Sequence, residues 1–216
     1  MRRRVALVFL LVGLTFSACS GPPESRVALS EPGEAAYDKR LVGIWYAYDG
    51  KKAAVYLHIS PRKETDYLDV VGIWAVFKKG DPVRWLTATA HASEVDGKTY
   101  YNVKRVAGAG FDYTAPEESP GFIIVRADIT DEDTLILRFM DWPNGGDFLK
   151  NKDLVRDRKV EGKYKDTNVP YRMLDLSRSE LVALIQEVTP AKLFKEMFKE
   201  EMHFRRLKPE AEKAKP

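Results

Sequence analysis

Residues able to do chemistry are few in this chain, and they are scattered. Its 216 residues include three histidines, His58, His91 and His203, and one cysteine, Cys19. No two histidines stand at metal-ligand spacing, so a zinc or other soft-metal site is not expected. His91 lies among Thr87, Thr89 and Ser93 and reads as a polar side chain on one face of a sheet in preference to a catalytic base. No serine sits in a nucleophile elbow. Ala107-Gly108-Ala109-Gly110 follows a strand and opens no helix, so it reads as a loop and not a phosphate cradle. Carboxylates are plentiful, yet no spacing brings two of them into one pocket. The expectation is a protein without catalytic residues, metal or cofactor, and not an enzyme.

Binding chemistry has better candidates. Trp45, Trp74, Trp85, Tyr100, Tyr101 and Phe122 all fall on expected strands, most of them as core, with Trp74, Trp85 and Tyr101 as candidates to line a cavity. Arg126 and Arg138 sit on two successive strands, opposite the cleaner apolar face. If that face is the outside, the guanidinium groups are solvated or partly covered. If it is the inside, they need an anion, either Asp128 or a ligand carboxylate. The outside reading is preferred.

The elements that must position these residues begin with an export signal. Arg2, Arg3 and Arg4 precede an apolar run from Val5 to Phe16, which falls short of the ~20 residues a spanning helix needs. Ser17 and Ala18 supply the small residues of a cleavage site at 1–18. The stretch Phe16-Ser17-Ala18-Cys19 resembles a bacterial lipobox, which implies a lipid on Cys19 and attachment to a membrane. Ser20 follows the cysteine, and the resemblance makes the outer membrane the expected destination in the cell envelope. Cys19 being the sole cysteine, the exported domain must be stabilised by its own core. The three signal arginines account for the whole formal excess of +3, leaving a neutral domain and no basic surface for nucleic acid. Residues 19–39, with Gly21, Pro22, Pro23, Pro32 and Gly33, read as a flexible tether. The charged tail 208–216 reads as disordered.

Between them, over 40–207, the chain reads as one domain of β segments punctuated by turns. Strands are expected at Leu41–Tyr48, Ala53–Ser60, Tyr67–Phe77, Val83–Ser93, Lys98–Val106, Phe122–Ile129, Thr134–Asp141 and Val169–Asp175. Asp49-Gly50 and Asp96-Gly97 are two-residue hairpin signals. Sequential strands with tight turns make an antiparallel meander, and closure into a small barrel removes its edges. The charge density excludes a membrane-embedded barrel, whose outer face is an unbroken apolar band. Ser177-Arg178-Ser179-Glu180 then matches a capping box. Leu181, Leu184, Ile185 and Val188, and after Thr189-Pro190 the residues Leu193, Phe194, Met197 and Phe198, form two helical stripes expected to pack outside the barrel.

Gly43-Ile44-Trp45 in the first strand, the eight-strand meander and the helix after it make Leu41 to Phe198 resemble the lipocalin-like, or calycin, barrels. The resemblance implies that Trp45 closes the barrel floor under an arginine near the last strand, a place that Arg172 matches best. The triplet recurs as Gly72-Ile73-Trp74. Thr65-Asp66-Tyr67 spells a second lipocalin motif but stands between strands two and three. The family has it between strands six and seven, where this chain has Thr130-Asp131-Glu132-Asp133. Two functions follow: a barrel that holds a small apolar or amphipathic ligand, with the loop Ala107–Pro120 as a lid, or a filled barrel that serves as an assembly factor for another envelope protein.

Overall fold

The computed structural model describes residues 22–48, 53–76, 83–109, 121–131, 134–140, 149, 152–158, 171–196 and 203–207. The expected signal segment 1–18, Cys19, the expected turn at Asp49-Gly50, residues 110–120, Met197 and Phe198 of the second stripe, and residues 208–216 lie outside them.

The strands are β1 (Glu24–Ser25), β2 (Gly43–Tyr48), β3 (Ala53–Pro61), β4 (Tyr67–Val76), β5 (Arg84–Val95), β6 (Lys98–Ala109), β7 (Ile123–Asp131), β8 (Thr134–Met140), β9 (Val155–Arg158), β10 (Tyr171–Leu174), β11 (Phe194–Glu196) and β12 (Phe204–Arg206). A helix spans Arg178–Glu187, and a single helical turn spans Pro190–Leu193. Strands β2 to β8 form the expected meander, and β12 pairs antiparallel with both β8 and β2, closing an eight-stranded up-and-down barrel. Hydrogen bonding around the ring leaves no barrel strand with a wholly free edge, which is what stabilises so small a closed sheet. At the Asp96-Gly97 hairpin both residues take positive φ, as a two-residue turn between twisted strands requires.

Alternation decides which side chains enter the barrel. Ile123, Val125, Ala127 and Ile129 of β7 and Leu135, Leu137 and Phe139 of β8 join the inner cluster with Trp45, Ala47, Val55, Leu57, Ile59, Leu68, Ala90, Ala92, Tyr101 and Phe204. A second cluster lies outside the wall. There Leu181 and Ile185 of the helix pack with Tyr100, Ile124, Met140, Leu174 and Phe194. The rings of Tyr100 and Phe194 are 5.2 Å apart. Each such side chain contributes about 1.5–3 kcal/mol when fully buried. The helix starts at the expected capping box: Ser177 caps Glu180, whose carboxylate accepts from the Ser177 amide at 2.8 Å.

Three expectations need correction. The segment around Val169–Asp175 does contain a strand, β10, but it belongs to a separate three-stranded sheet with β1 and β9, and the barrel is closed by β12. The second apolar stripe is not a helix throughout, because after one turn the chain extends into β11, which adds to the outer half of β8. The tether is no tether from Pro22 onward. Ser25 exchanges two backbone hydrogen bonds of 2.7 Å with Phe122, and Leu29 N–H donates to Asn102 Oδ1 at 2.7 Å. Ala35, Tyr37 and Leu41 then pack against the inner cluster at the end where Trp45 lies. Proline and glycine make this segment look like a linker, but its backbone groups are satisfied by partners distant in sequence.

Candidate functional site

The closed end of the barrel is built on glycine and arginine. Trp45 is 0 % exposed and its Nε1–H donates to the Leu41 carbonyl at 2.8 Å. The guanidinium over its ring, 4.2 Å from the centroid, is that of Arg206 on β12. Arg206 Nη1 also donates to the Val42 carbonyl at 2.8 Å, and Nη2 donates to the Arg40 carbonyl. Arg172 is not the partner, since its strand pairs with β9, opposite Asp157, away from β2. Gly43 is required by this arrangement: its φ is +144°, and a Cβ there would stand 2.6 Å from Arg206 Nη1. The second Gly-x-Trp triplet works differently. A Cβ on Gly72 would meet the Trp74 ring at 2.6 Å, so the glycine lets the indole fold back along the inner wall.

The other candidate residues divide by face. Tyr101 points inward but is buried near the floor, where its hydroxyl oxygen accepts the Asp38 N–H at 3.1 Å, and burial pushes its phenol up to about 12. Trp85 points outward and is 40 % exposed. Arg126 and Arg138 also point outward. Asp128 pairs with both, and Arg138 continues to Glu196 at 2.8 Å, which receives His203 at 3.0 Å. This chain of charges fastens β11 and the start of β12 to the wall. The His203 hydrogen bond, followed by Arg138, holds the Glu196 carboxyl below its ordinary value against the opposing effect of burial.

His91 is structural. It lies on the outer face of β5 beneath the N-terminal segment, 2 % exposed, with Nε2 3.0 Å from the Ser30 carbonyl. Its Nδ1 is buried without a partner, and the ring meets those of Tyr67 and Phe122 near-perpendicularly at 5.5 and 6.0 Å. A proton on Nδ1 would find no acceptor, and burial lowers the imidazole from its ordinary 6.5. Ser30, Ser93 and Asn102 complete the buried network. Among the described residues no three His, Cys, Asp or Glu side chains are grouped to hold a metal ion.

What the arrangement offers chemically is a set of half-buried inward side chains, Val70 and Trp74 on β4, Arg84 and Leu86 on β5, Val103 and Arg105 on β6, Leu137 and Phe139 on β8, beside the fully buried Ala47 and Val55. One wall is built of small residues, Ala88, Ala90 and Ala92 on β5 and Gly72 opposite Leu86 on β4. The sequence reading missed Arg84, Arg105 and Arg206. For Arg105 the signal was present, because Tyr101, Val103 and Arg105 alternate onto one face. Fold and interior define a small, closed, eight-stranded antiparallel β-barrel with Trp45 and Arg206 at one end, compatible with a lipocalin-like fold. No family model, no curated protein and no solved structure matches the chain.

Proposed function

We propose that this protein is a lipid-anchored envelope protein whose barrel holds a small amphipathic molecule. The observation that carries the reading is the uneven burial inside the barrel. Trp45, Leu57, Ile59 and Leu135 are buried, while Trp74, Leu86, Val103, Leu137 and Phe139, which also face in, are only half-buried. Apolar side chains in a concave, partly wetted surface gain free energy when a ligand replaces the water. The lipobox-like Phe16-Ser17-Ala18-Cys19 supports the anchor, and Ser20 supports the outer membrane as its site. Native mass spectrometry of protein purified from its own host is the test. A copurifying species of lipid or fatty-acid mass on the folded protein is expected, with a diacylglyceryl adduct on Cys19. A homogeneous apoprotein that also binds no amphiphile in titration would sink the ligand reading.

A second reading rests on the outer face. In cross-strand register Tyr46, Tyr56, Ile73 and Trp85 form one row over β2 to β5, and the last three are each about 40 % exposed. Neither the helix nor the small sheet covers that row. It favours an assembly factor that contacts another envelope protein. Crosslinking in the native envelope, with Ile73→Asp as control, separates the two readings.

A further inference from the structure

Among the described residues the barrel interior carries charge of one sign. From Ala92 to the end away from Trp45, the described inward positions carry no aspartate or glutamate, yet Arg84 and Arg105 both face in. Arg105 stands opposite Ala88 and shares the inner face with Val103 and Tyr101. Its Nη2 is buried and meets no hydrogen-bond acceptor. Across β5 from it lies Val70, and Leu86 and Gly108 are its neighbours. Arg84, opposite Trp74, faces the same way.

A buried guanidinium N–H without an acceptor is costly, and the ordinary remedy, an acidic side chain on a neighbouring inward position, is missing here. The outer face of the same sheet shows that remedy in use, with Asp128 between Arg126 and Arg138. A barrel that only needed filling would carry an aliphatic residue at position 105, as it does at 103. Arginine's planar fork is instead matched to a two-oxygen anion, carboxylate or phosphate.

We infer that Arg105 is the head-group receptor of the barrel: it takes the oxyanion of an amphipathic ligand whose apolar tail lies along Val103, Val70, Leu137 and Phe139. This inference rests on the ligand-binding reading and narrows it to single-chain amphiphiles with an anionic head. It also reassigns the notion of an arginine anion site from Arg126 and Arg138, which are satisfied outside, to Arg105 on β6.

Three probes with the same tail test it: hexadecanoate, hexadecyl phosphate and hexadecanol, titrated into the full-length protein by tryptophan quenching and calorimetry. The expected result is that one or both anions bind about ten- to a hundredfold more tightly than the alcohol, the range set by one charge-assisted hydrogen bond. Whichever anion is preferred names the head group as carboxylate or phosphate. In Arg105→Met the preference should vanish while hexadecanol affinity stays within about twofold. The same variant, ligand-free, should unfold at an equal or higher temperature than the parent, because a buried guanidinium N–H without an acceptor has been removed. Equal binding of alcohol and anions by the parent protein, or an anion preference retained in Arg105→Met, overturns the assignment while leaving a ligand-binding barrel. A lower unfolding temperature in Arg105→Met overturns it too, since the arginine would then be held by the fold itself. Failure of all three probes to bind overturns the binding reading together with the inference.

Discussion

Replacing Arg206 with methionine keeps the apolar stem of the side chain and removes the charge that lies over Trp45. With the indole fully buried and the guanidinium 4.2 Å from its centroid, the cation–π contact falls in the upper part of its range, about 1–2 kcal/mol. The half-buried hydrogen bond to the Val42 carbonyl at 2.8 Å adds on the order of 1 kcal/mol. The bond to the Arg40 carbonyl is exposed, and water replaces it at little cost. The sum, about 2–3 kcal/mol, is a large part of the ~5–15 kcal/mol that a domain usually has, and corresponds to a fall of about 5–10 °C in Tm. Urea unfolding followed by tryptophan emission measures it. A double-mutant cycle with Trp45→Leu isolates the stacking term, and a coupling of about 1 kcal/mol is expected. Gly43→Ala should reproduce much of the loss by expelling the guanidinium, and should do less damage once Arg206 is already methionine. A cost for Arg206→Met within ~0.5 kcal/mol of zero, or a coupling of zero, would refute the claim that this arginine clasps the last strand to the first.

Other outcomes follow from the same geometry. Ending the chain after Met202 deletes β12 while keeping the helix, so β2 and part of β8 become open edges, and the product should aggregate and be cut rapidly by protease. Gly72→Ala should push the Trp74 indole off the wall at a cost of about 1–3 kcal/mol, visible as a shift in tryptophan emission; an unchanged spectrum and Tm would mean that the ring has free space. His91 takes a proton less readily folded than unfolded, so the unfolded chain binds more protons as pH falls below about 6.5, and stability declines from there until the folded value is reached. His91→Gln should flatten that decline in a Tm series between pH 7.5 and 5, and parallel slopes would assign the titration elsewhere. Glu196, held low by His203 and Arg138, contributes stability above its ordinary 4.5 and loses it as pH falls further, so Glu196→Gln should level the acid limb of the same series.

Most of the barrel was legible because its signals are local. The alternation of Ile123, Val125, Ala127 and Ile129, the Asp96-Gly97 turn and the Ser177 capping box each need only neighbours in sequence, and each stands where it was expected. The eighth strand was misplaced because partner choice is not local. Tyr171–Leu174 has the composition of a strand and forms one, but it pairs with Val155–Arg158 and Glu24–Ser25. The true closing strand, Phe204–Arg206, is too short for periodicity to register. The same reason explains Arg172: the expectation of an arginine on Trp45 was sound in kind, and the side chain came from Arg206. The N-terminal segment was mistaken for a tether because its hydrogen bonds run to Asn102, His91 and Ser93, more than sixty residues away. At the candidate site, Arg126 and Arg138 were placed on the outer face by alternation alone. Arg105 escaped notice because one arginine on an otherwise apolar face reads as the end of a strand.

The seam between β12 and β2 also has a consequence in time. Arg206 and Val42 meet across 164 residues of chain. A chain that emerges N-terminus first can pair one edge of Gly43–Tyr48 with β3 early, but leaves the other edge open until β12, the last strand of the barrel, has emerged. During that interval the seven earlier strands can assemble only as an open, curled sheet with an apolar concave face, the form most prone to pair with another copy of itself. Closure depends on the last few residues of the fold to emerge. Any event that delays or removes them leaves a sheet that is correctly paired everywhere except at the seam, so the hazard for this chain lies in the period of its making more than in its finished state.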